Sequence, residues 1–282
     1  MEIGIVGQGY VGTAVRTVFE KHYDVETYDI KEVCSCISIS DLVNKTDIIF
    51  VCVPTPMRKD GSCDISIVEN VVEEINMMSM NDKIVAIKST IPPGTTNELN
   101  KKYHNITVIF NPEFLTEANF IEDFKNQNRI IIGGQRPATT TLRQVYSLVF
   151  PNATIVKTGS KTAEMVKYFT NTFLATKVSF ANEMKMICDK IGIDYDKVVE
   201  YATYDERLGK SHWAVPGPDG KLGFGGSCFP KDINGLVHMC EKMNIPVGVL
   251  PSVINTNLIV RPERDWEELK GRAVVDEDSN SR

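Results

Sequence analysis

The segment EIGIVGQGYVG, residues 2–12, decides the fold. Ile3, Ile5 and Val6 form a short β-rich run that ends in Gly7, Gly9 and Gly12, spaced G-x-G-x-x-G. Residues 11–21 then carry a helical pattern. A strand that passes through this spacing directly into a helix makes a phosphate-facing turn. Gly7 permits the bend, Gly9 lets a pyrophosphate reach the backbone, and Gly12 lets helix and strand pack closely. The helix N-terminus then directs its unpaired N–H groups at the phosphates. Tyr10 and Val11, between the glycines, belong to the same cofactor site. Asp29 ends the next strand. A carboxylate there accepts from ribose hydroxyls and repels a 2′-phosphate, so NAD is the expected cofactor, with Lys31 the nearby charge that argues the other way.

Outward from this unit, β-rich runs over 3–6, 25–28, 48–53, 84–87, 108–110 and 130–132 predict strands, with helices such as 11–21 and 65–78 between them. Strands alternating with helices predict a parallel, doubly wound sheet. Near Gly159 the texture changes. No Gly or Pro interrupts residues 162–190, and Gly192 supplies a stop. The middle of this helix is apolar on most faces (Phe169, Phe173, Leu174, Val178, Phe180, Ala181, Met184), which predicts burial on several sides and a homodimer formed through it. Helices over 195–203, 230–243 and 249–260 follow, with a Gly/Pro-rich loop over 209–226. The expected fold class is α/β: an N-terminal Rossmann-like doubly wound parallel sheet, then an all-α domain built on a long helix. The expected domains are 1–159, 160–260 and a polar tail, 261–282, frayed over 276–282.

Composition narrows the function. The 282 residues are 42% hydrophobic and 24% charged, the balance of a globular chain. A net charge of -6 without a Lys/Arg block longer than two residues argues against a nucleic-acid partner. No apolar run reaches the roughly 18 residues of a membrane span, and the N-terminus has no secretory-leader pattern. Seven scattered cysteines, with no His cluster near the pair Cys34 and Cys36, predict free thiols in a reducing cytoplasm and no metal site.

Polar residues gather where strands end. Thr55 follows one apolar strand and Thr90 another, at the carboxyl ends where ligands bind in open α/β sheets. Each is either a turn hydroxyl or a ligand contact. Glu113 and Glu117, in NPEFLTEAN, share a face if that stretch is helical. They are then either a solvated face or a proton-handling pair. Lys167 and Asn171 also lie four apart, on the long helix. They are either its one wet stripe, continued by Lys177 and Lys185, or buried polar groups that need a partner. The decapeptide GFGGSCFPKD, residues 223–232, sets Cys228 before a helix begun by Pro230. A helix N-terminus and Lys231 both favour the thiolate. Asp232 is four residues further on, and the glycines let backbone approach a ligand. A reactive Cys228 is the expectation.

Together these residues resemble the UDP-glucose/GDP-mannose dehydrogenase family of four-electron nucleotide-sugar dehydrogenases. The carriers are GQGYVG at 7–12, VPTP at 53–56, DGSCDIS at 60–66, KSTIPPG at 88–94, NPEFLTE at 111–117, EMVKYFTNTFLATKVSFANE at 164–183, YDERLG at 204–209 and GFGGSCFPKD at 223–232. The spacing is most similar to bacterial members acting on UDP-glucose. The resemblance implies that Cys228 is the nucleophile, that Lys167 and Asn171 hold the oxyanion and the water, and that Asp232 supports acid–base steps. It implies that Glu113, Glu117 and Thr90 position water and move protons. Phe114, Leu115, Arg207, Phe224 and Gly225, with Glu113, Lys167 and Asn171, are implied to contact the sugar nucleotide. Thr55, Thr90, Glu117 and Lys231 are implied to line the NAD site.

The resemblance covers residues 1 to about 260. Members of the family continue into a second α/β domain that closes over the nucleotide, whereas here Pro262 interrupts the expected connecting helix and RPERDWEELKGRAVVDEDSNSR resembles no nucleotide-binding domain. Oxidation of UDP-glucose to UDP-glucuronate is the expected activity. A truncated NAD-binding homologue that pairs with a partner, a GDP-mannose or UDP-N-acetylmannosamine dehydrogenase, and a two-electron hydroxyacid dehydrogenase stay open beside it.

Overall fold

A computed structural model describes residues 1–80 and 82–276. The chain divides into two compact units. The first comprises Met1–Thr55 and Asp64–Lys167. Its sheet has seven strands: β1 (Ile3–Val6), β2 (Val25–Tyr28), β3 (Ile48–Val51), β4 (Lys83–Ile87), β5 (Ile106–Phe110), β6 (Arg129–Gly133) and β7 (Thr154–Thr158), in the order β2-β1-β3-β4-β5-β6-β7. β1 to β5 run parallel, and their ends are in register. Val6 pairs with Tyr28 and Val51, Val51 with Ile87, and Ile87 with Phe110. The residues that follow, Gly7, Asp29, Cys52, Lys88 and Asn111, therefore line one edge of the sheet.

Helices cover both faces: α1 (Tyr10–Phe19), α2 (Ile39–Lys45), α3 (Ser66–Met78), α4 (Thr95–Lys102), α5 (Phe120–Lys125) and α6 (Ala138–Val149). The alternation of a strand sorts the core. Ile49 and Val51 of β3 pack with Leu42, Val72 and Leu99 from α2, α3 and α4. Ile48 and Phe50, between them, pack with Val15 and Tyr146 from α1 and α6.

The predicted sheet needs two corrections. β7 was not foreseen, because TIVKT sits half exposed at the sheet edge and carries no strong apolar run. β6 runs antiparallel to β5 and meets it at one residue pair, Phe110 with Gly133. The connection between them holds only α5. β3 also stops at Val51, two residues earlier than predicted.

The long helix α7 (Ser160–Ile191) is continuous for 32 residues. It begins in the first unit, where Glu164 is fully buried. The carboxylate accepts from Gly94 N (2.5 Å), Thr96 N (2.9 Å) and Thr96 Oγ1 (2.6 Å). Gly94, the N-cap of α4, has no side chain to offer, so Glu164 caps that helix from a distance.

The second unit comprises Pro56–Cys63 and Tyr168–Arg282. It holds the rest of α7, then α8 (Tyr195–Ala202), α9 (Phe229–Lys242) and α10 (Val249–Val260). Burial of α7 follows the expected pattern at Ala181, and in part at Leu174, Val178 and Met184, but departs from it at three aromatics. Phe169, Phe173 and Phe180 are 69%, 56% and 52% exposed, while Asn171, Thr172, Lys177, Ser179 and Asn182 are buried. The polar groups tolerate burial because they are bonded: Lys177 to Leu208 O at 3.1 Å, Ser179 to Val253 O at 3.0 Å, Asn182 to Val178 O at 2.8 Å. The predicted wet stripe is therefore interior at Lys167 and Lys177, and only Lys185 keeps the solvent role, paired with Asp189. α10 ends before Pro262 as expected. The segment after it is folded up to residue 276: a 3-10 turn spans Asp265–Glu268, Trp266 and Ala273 are buried, and Val274 bridges to Met57. The fraying expected over 276–282 lies, from 277 onward, outside the described residues. Among the described residues no helix is long and apolar enough to cross a membrane.

The remote cap is testable. Glu164→Gln replaces one acceptor by an N–H group that faces the donors of residues 94 and 96. Urea unfolding should show a loss of about 2 kcal/mol. Unchanged stability would show that α4 does not depend on this carboxylate.

Candidate active site

In the first unit the glycine turn has the geometry its spacing predicts. A Cβ on Gly12 would lie 1.8 Å from Gly7 O, so turn and helix touch there, whereas a Cβ on Gly9 would meet nothing within 4 Å. The surface at Gly9 is thus open at the start of α1, as a pyrophosphate requires. Asp29 Oδ2 accepts from Gln8 N (2.7 Å), and Oδ1 accepts from Lys31 N (2.7 Å) and Glu32 N (3.3 Å). The carboxylate locks the turn and the following loop, and Oδ2 keeps a lone pair for a ribose hydroxyl. These residues fit a dinucleotide.

Further along the edge, Thr55 and Thr90 are both buried. Beneath them lies a cluster that the sequence reading missed. Lys88 is buried and donates to Asn111 O (3.0 Å) and Oδ1 (3.2 Å), and Tyr146 OH donates to the same Oδ1 (2.5 Å). Asn111 Nδ2 in turn donates to Ile131 O (2.8 Å), extending the contact between β5 and β6. Burial lowers the pKa of Lys88, although Glu113 and Cys52 oppose this. A lysine directly after an apolar strand was the available signal. Cys52, beside it, is pushed up to about 12 by burial and is no nucleophile.

Lys167 is 2% exposed and donates to Glu113 Oε1 (3.0 Å) and Glu113 O (2.6 Å). Its ammonium also lies 5.4 Å from the Phe114 ring centroid. Burial alone would raise the Glu113 pKa, but Lys167 and Lys88 outweigh it and hold the carboxyl below its ordinary value. Oε2 of Glu113 is buried with no protein partner, an acceptor turned to the site. Glu113 and Glu117 do not share a helical face, because residues 111–119 form no helix and α5 starts only at Phe120. Phe114 packs toward one core cluster of the sheet and Leu115 toward the other.

In the second unit Cys228 is the N-cap of α9, partly exposed, with Pro230 in the first turn. Asp232 is 1% exposed. Its Oδ2 accepts from Asn171 Nδ2 (2.6 Å) and its Oδ1 from Lys231 Nζ (2.5 Å). Burial would lower the Lys231 pKa, but Asp232, Cys63 and Cys228 together raise it, so the ammonium stays charged. A sulfur at a helix N-terminus beside a fixed cation is set up for the thiolate. Asn171 keeps one amide hydrogen and its carbonyl for another group. Arg207 is elsewhere in character: its side chain is exposed and forks onto Asp205 (2.9 and 3.0 Å). Phe224 is buried with Ala175, Ile233 and Val253.

Residues 25–150 match the UDP-glucose/GDP-mannose dehydrogenase family's NAD binding domain, and residues 161–258 match its central domain. The chain belongs to this family. It is 38% identical to a UDP-glucose 6-dehydrogenase of Rickettsia prowazekii over 75% of this chain and 49% of the relative. It is 33% identical to one of Bacillus subtilis over 91% of this chain and 66% of the relative. A UDP-glucose dehydrogenase structure from Pyrobaculum islandicum superimposes with a TM-score of 0.84 at 29% identity, covering 92% of this chain and 68% of that one. The chain spans about half the length of the first curated relatives it matches. The dinucleotide that the glycine turn serves is NAD, by the family to which the domain belongs.

Lys167→Met leaves the Glu113 carboxylate buried beside Lys88 alone. Breaking such a pair should cost about 3–5 kcal/mol near neutral pH. The wild-type contribution of Glu113 is present above the usual carboxylate range and is lost as pH falls through the lowered folded value. In the variant, protonation relieves the unpaired charge, so its deficit should shrink between about pH 7 and pH 4. Urea unfolding at both pH values reads this, and a deficit independent of pH would refute the pairing.

Proposed function

We propose that this chain carries the NAD-dependent oxidation of the primary alcohol of a nucleotide sugar to a carboxylate, with UDP-glucose as substrate and UDP-glucuronate as product. The observation that carries the reading is the partly exposed Cys228 at the start of α9, beside Lys231 and the buried Asp232–Asn171 bond. The names of the relatives support UDP-glucose over other sugars.

The alcohol loses a proton and a hydride to become an aldehyde. The Cys228 thiolate adds to the aldehyde carbon, forming a C–S bond and, after protonation of the oxygen, a thiohemiacetal. Loss of a second proton and hydride gives the thioester. Water then breaks the C–S bond, releasing the carboxylate and returning the thiolate. The turn after β1, with Gly7, Gly9, Gly12 and Asp29, would hold NAD, which would supply the hydride acceptor, one molecule for each oxidation. Lys167 and the free amide hydrogen of Asn171 stabilise the oxyanion. Asp232, tied to Asn171 and Lys231, fixes both and balances the charge near the sulfur. Glu113 holds water at its unpartnered Oε2, with Glu117 and Thr90 assisting proton transfer. Thr55 and Lys231 face the cofactor, and Phe114, Leu115, Arg207, Phe224 and Gly225 shape the substrate site.

A second copy of the chain is the proposed partner. The row Phe169, Phe173 and Phe180 is more than half exposed on one helix, a face that a symmetric dimer through α7 would cover. Phe173→Asp should shift the chain toward monomer in light scattering. A wild-type chain that is monomeric at every concentration would remove the dimer.

The activity is tested by NADH release with UDP-glucose, GDP-mannose and UDP-N-acetylmannosamine. Two NADH per UDP-glucose are expected, and Cys228→Ser should slow acid formation more than about 100-fold. One NADH per sugar would identify a two-electron dehydrogenase, and none with any of the three would leave an NAD-binding homologue without this activity.

A further inference from the structure

Gly223 and Gly225 were expected to let backbone approach a ligand. Instead they approach two side chains of this protein. A Cβ on Gly223 would lie 2.3 Å from Asn257 Oδ1, and one on Gly225 would lie 2.5 Å from Arg261 Nη2. Either contact is too short for any side chain at those positions. Asn257 lies on α10 and Arg261 is its C-cap, one turn on, and both are 2% exposed.

Asn257 uses both ends of its amide on one residue. Oδ1 accepts from Phe224 N (2.7 Å) and Nδ2 donates to Phe224 O (2.9 Å). Asn182 Oδ1 holds the neighbouring Gly223 N (3.1 Å) from α7. Arg261 Nη1 donates to Leu222 O (3.3 Å). The backbone over residues 222–224 is thus held by three side chains, none of which is in the motif itself. The Phe224 ring meets Phe229 edge-on at 6.1 Å and packs with Ile233. The pinned loop is therefore seated on the first turns of α9, on either side of Cys228 in sequence.

A buried guanidinium needs its own partners. Asp265 supplies a fork, to Nε (2.7 Å) and Nη2 (2.7 Å), and Asp219 adds an ion pair at 2.8 Å. Lys221 also reaches Asp265 (2.7 Å). Asp265 lies in the segment after α10, and both it and Arg261 fall beyond residue 258, where the match to the family's central domain ends.

We propose that Asn257, Arg261 and Asp265 are positioning residues for Cys228, and that the segment after α10 braces the loop that delivers this thiol to the N-terminus of α9. The proposal rests on the nucleophilic role given to Cys228. The brace acts through the backbone of residues 222–225 and touches no reacting atom. With it, the sulfur stays at the helix end beside Lys231, where the thiolate is favoured. Without it, the loop is free to withdraw, and the thiol loses that environment while the NAD domain is unaffected.

The test uses the full chain with Asp265→Asn, Arg261→Lys, Asn257→Ala and the conservative Asp265→Glu. Arg261→Lys keeps the charge and loses the fork. The primary readout is alkylation of Cys228 by iodoacetamide across pH, followed on the Cys228 peptide by mass spectrometry. In the first three variants the profile should move to higher pH and the rate near neutral pH should fall at least about threefold. Asp265→Glu should restore much of it. The NAD dissociation constant should change less than about twofold, and KM for UDP-glucose should rise about tenfold. If the variants unfold more easily yet keep the wild-type alkylation profile and KM, the brace is only structural and the proposal fails. If the wild type turns over no nucleotide sugar, the proposed activity fails, while the alkylation profile still decides the brace. Should Asn257→Ala not fold, the partly exposed Asp265 variants carry the test.

Discussion

Helix α7 keeps several polar residues inside, and five of them each fasten a different segment of the chain. Glu164 caps the helix that follows KSTIPPG. Lys167 holds Glu113 of NPEFLTE, Asn171 holds Asp232 of the cysteine motif, Lys177 holds Leu208 after Arg207, and Asn182 holds Gly223. Within each unit, stretches far apart in sequence are thus bonded to the same helix. This explains an arrangement that hydrophobicity alone would forbid. Burying a carboxylate, two ammonium groups and two amides is costly unless each finds a bond, and here each does. Phe169, Phe173 and Phe180 of the same helix are left on its outer side.

The sheet solves a different problem by different means. Parallel strands ending in register line up Gly7, Asp29, Cys52, Lys88 and Asn111 without help from side chains. Their neighbours then differ in character because their surroundings do. Cys52 is sealed and its thiol is driven to a high pKa, whereas Cys228, at the exposed start of a helix, faces a cation. Burial makes the first inert, and the second has the setting of the nucleophile we propose. Their covalent chemistry is the same.

Much of this was legible in the sequence. Local signals gave reliable answers: the glycine turn, the apolar strands of the sheet, the uninterrupted α7, and Cys228 before Pro230. Failures came where a residue's state depends on something distant. Glu113 and Glu117 do not stack on a helix because α5 begins only at Phe120, and the spacing rule does not say where a helix starts. β7 is an edge strand whose half-exposed side chains leave no apolar run. The outward aromatics of α7 read as core, because apolar character in a sequence does not say which surface covers it. Arg261 and Asn257 were invisible as supports because the loop they hold lies more than thirty residues earlier, and a glycine carries no mark of what fills the space of its missing side chain.

Because α7 is unbroken through the second unit, it also sets a fixed phase among the segments it holds there. Each residue of an α-helix turns the next by about 100° and advances it about 1.5 Å. One residue inserted or deleted between Asn171 and Asn182 would swing the attachments of Leu208 and Gly223 to another side of the helix from that of Asp232. The loops around it can change in length without that cost. The stretch from 171 to 182 cannot.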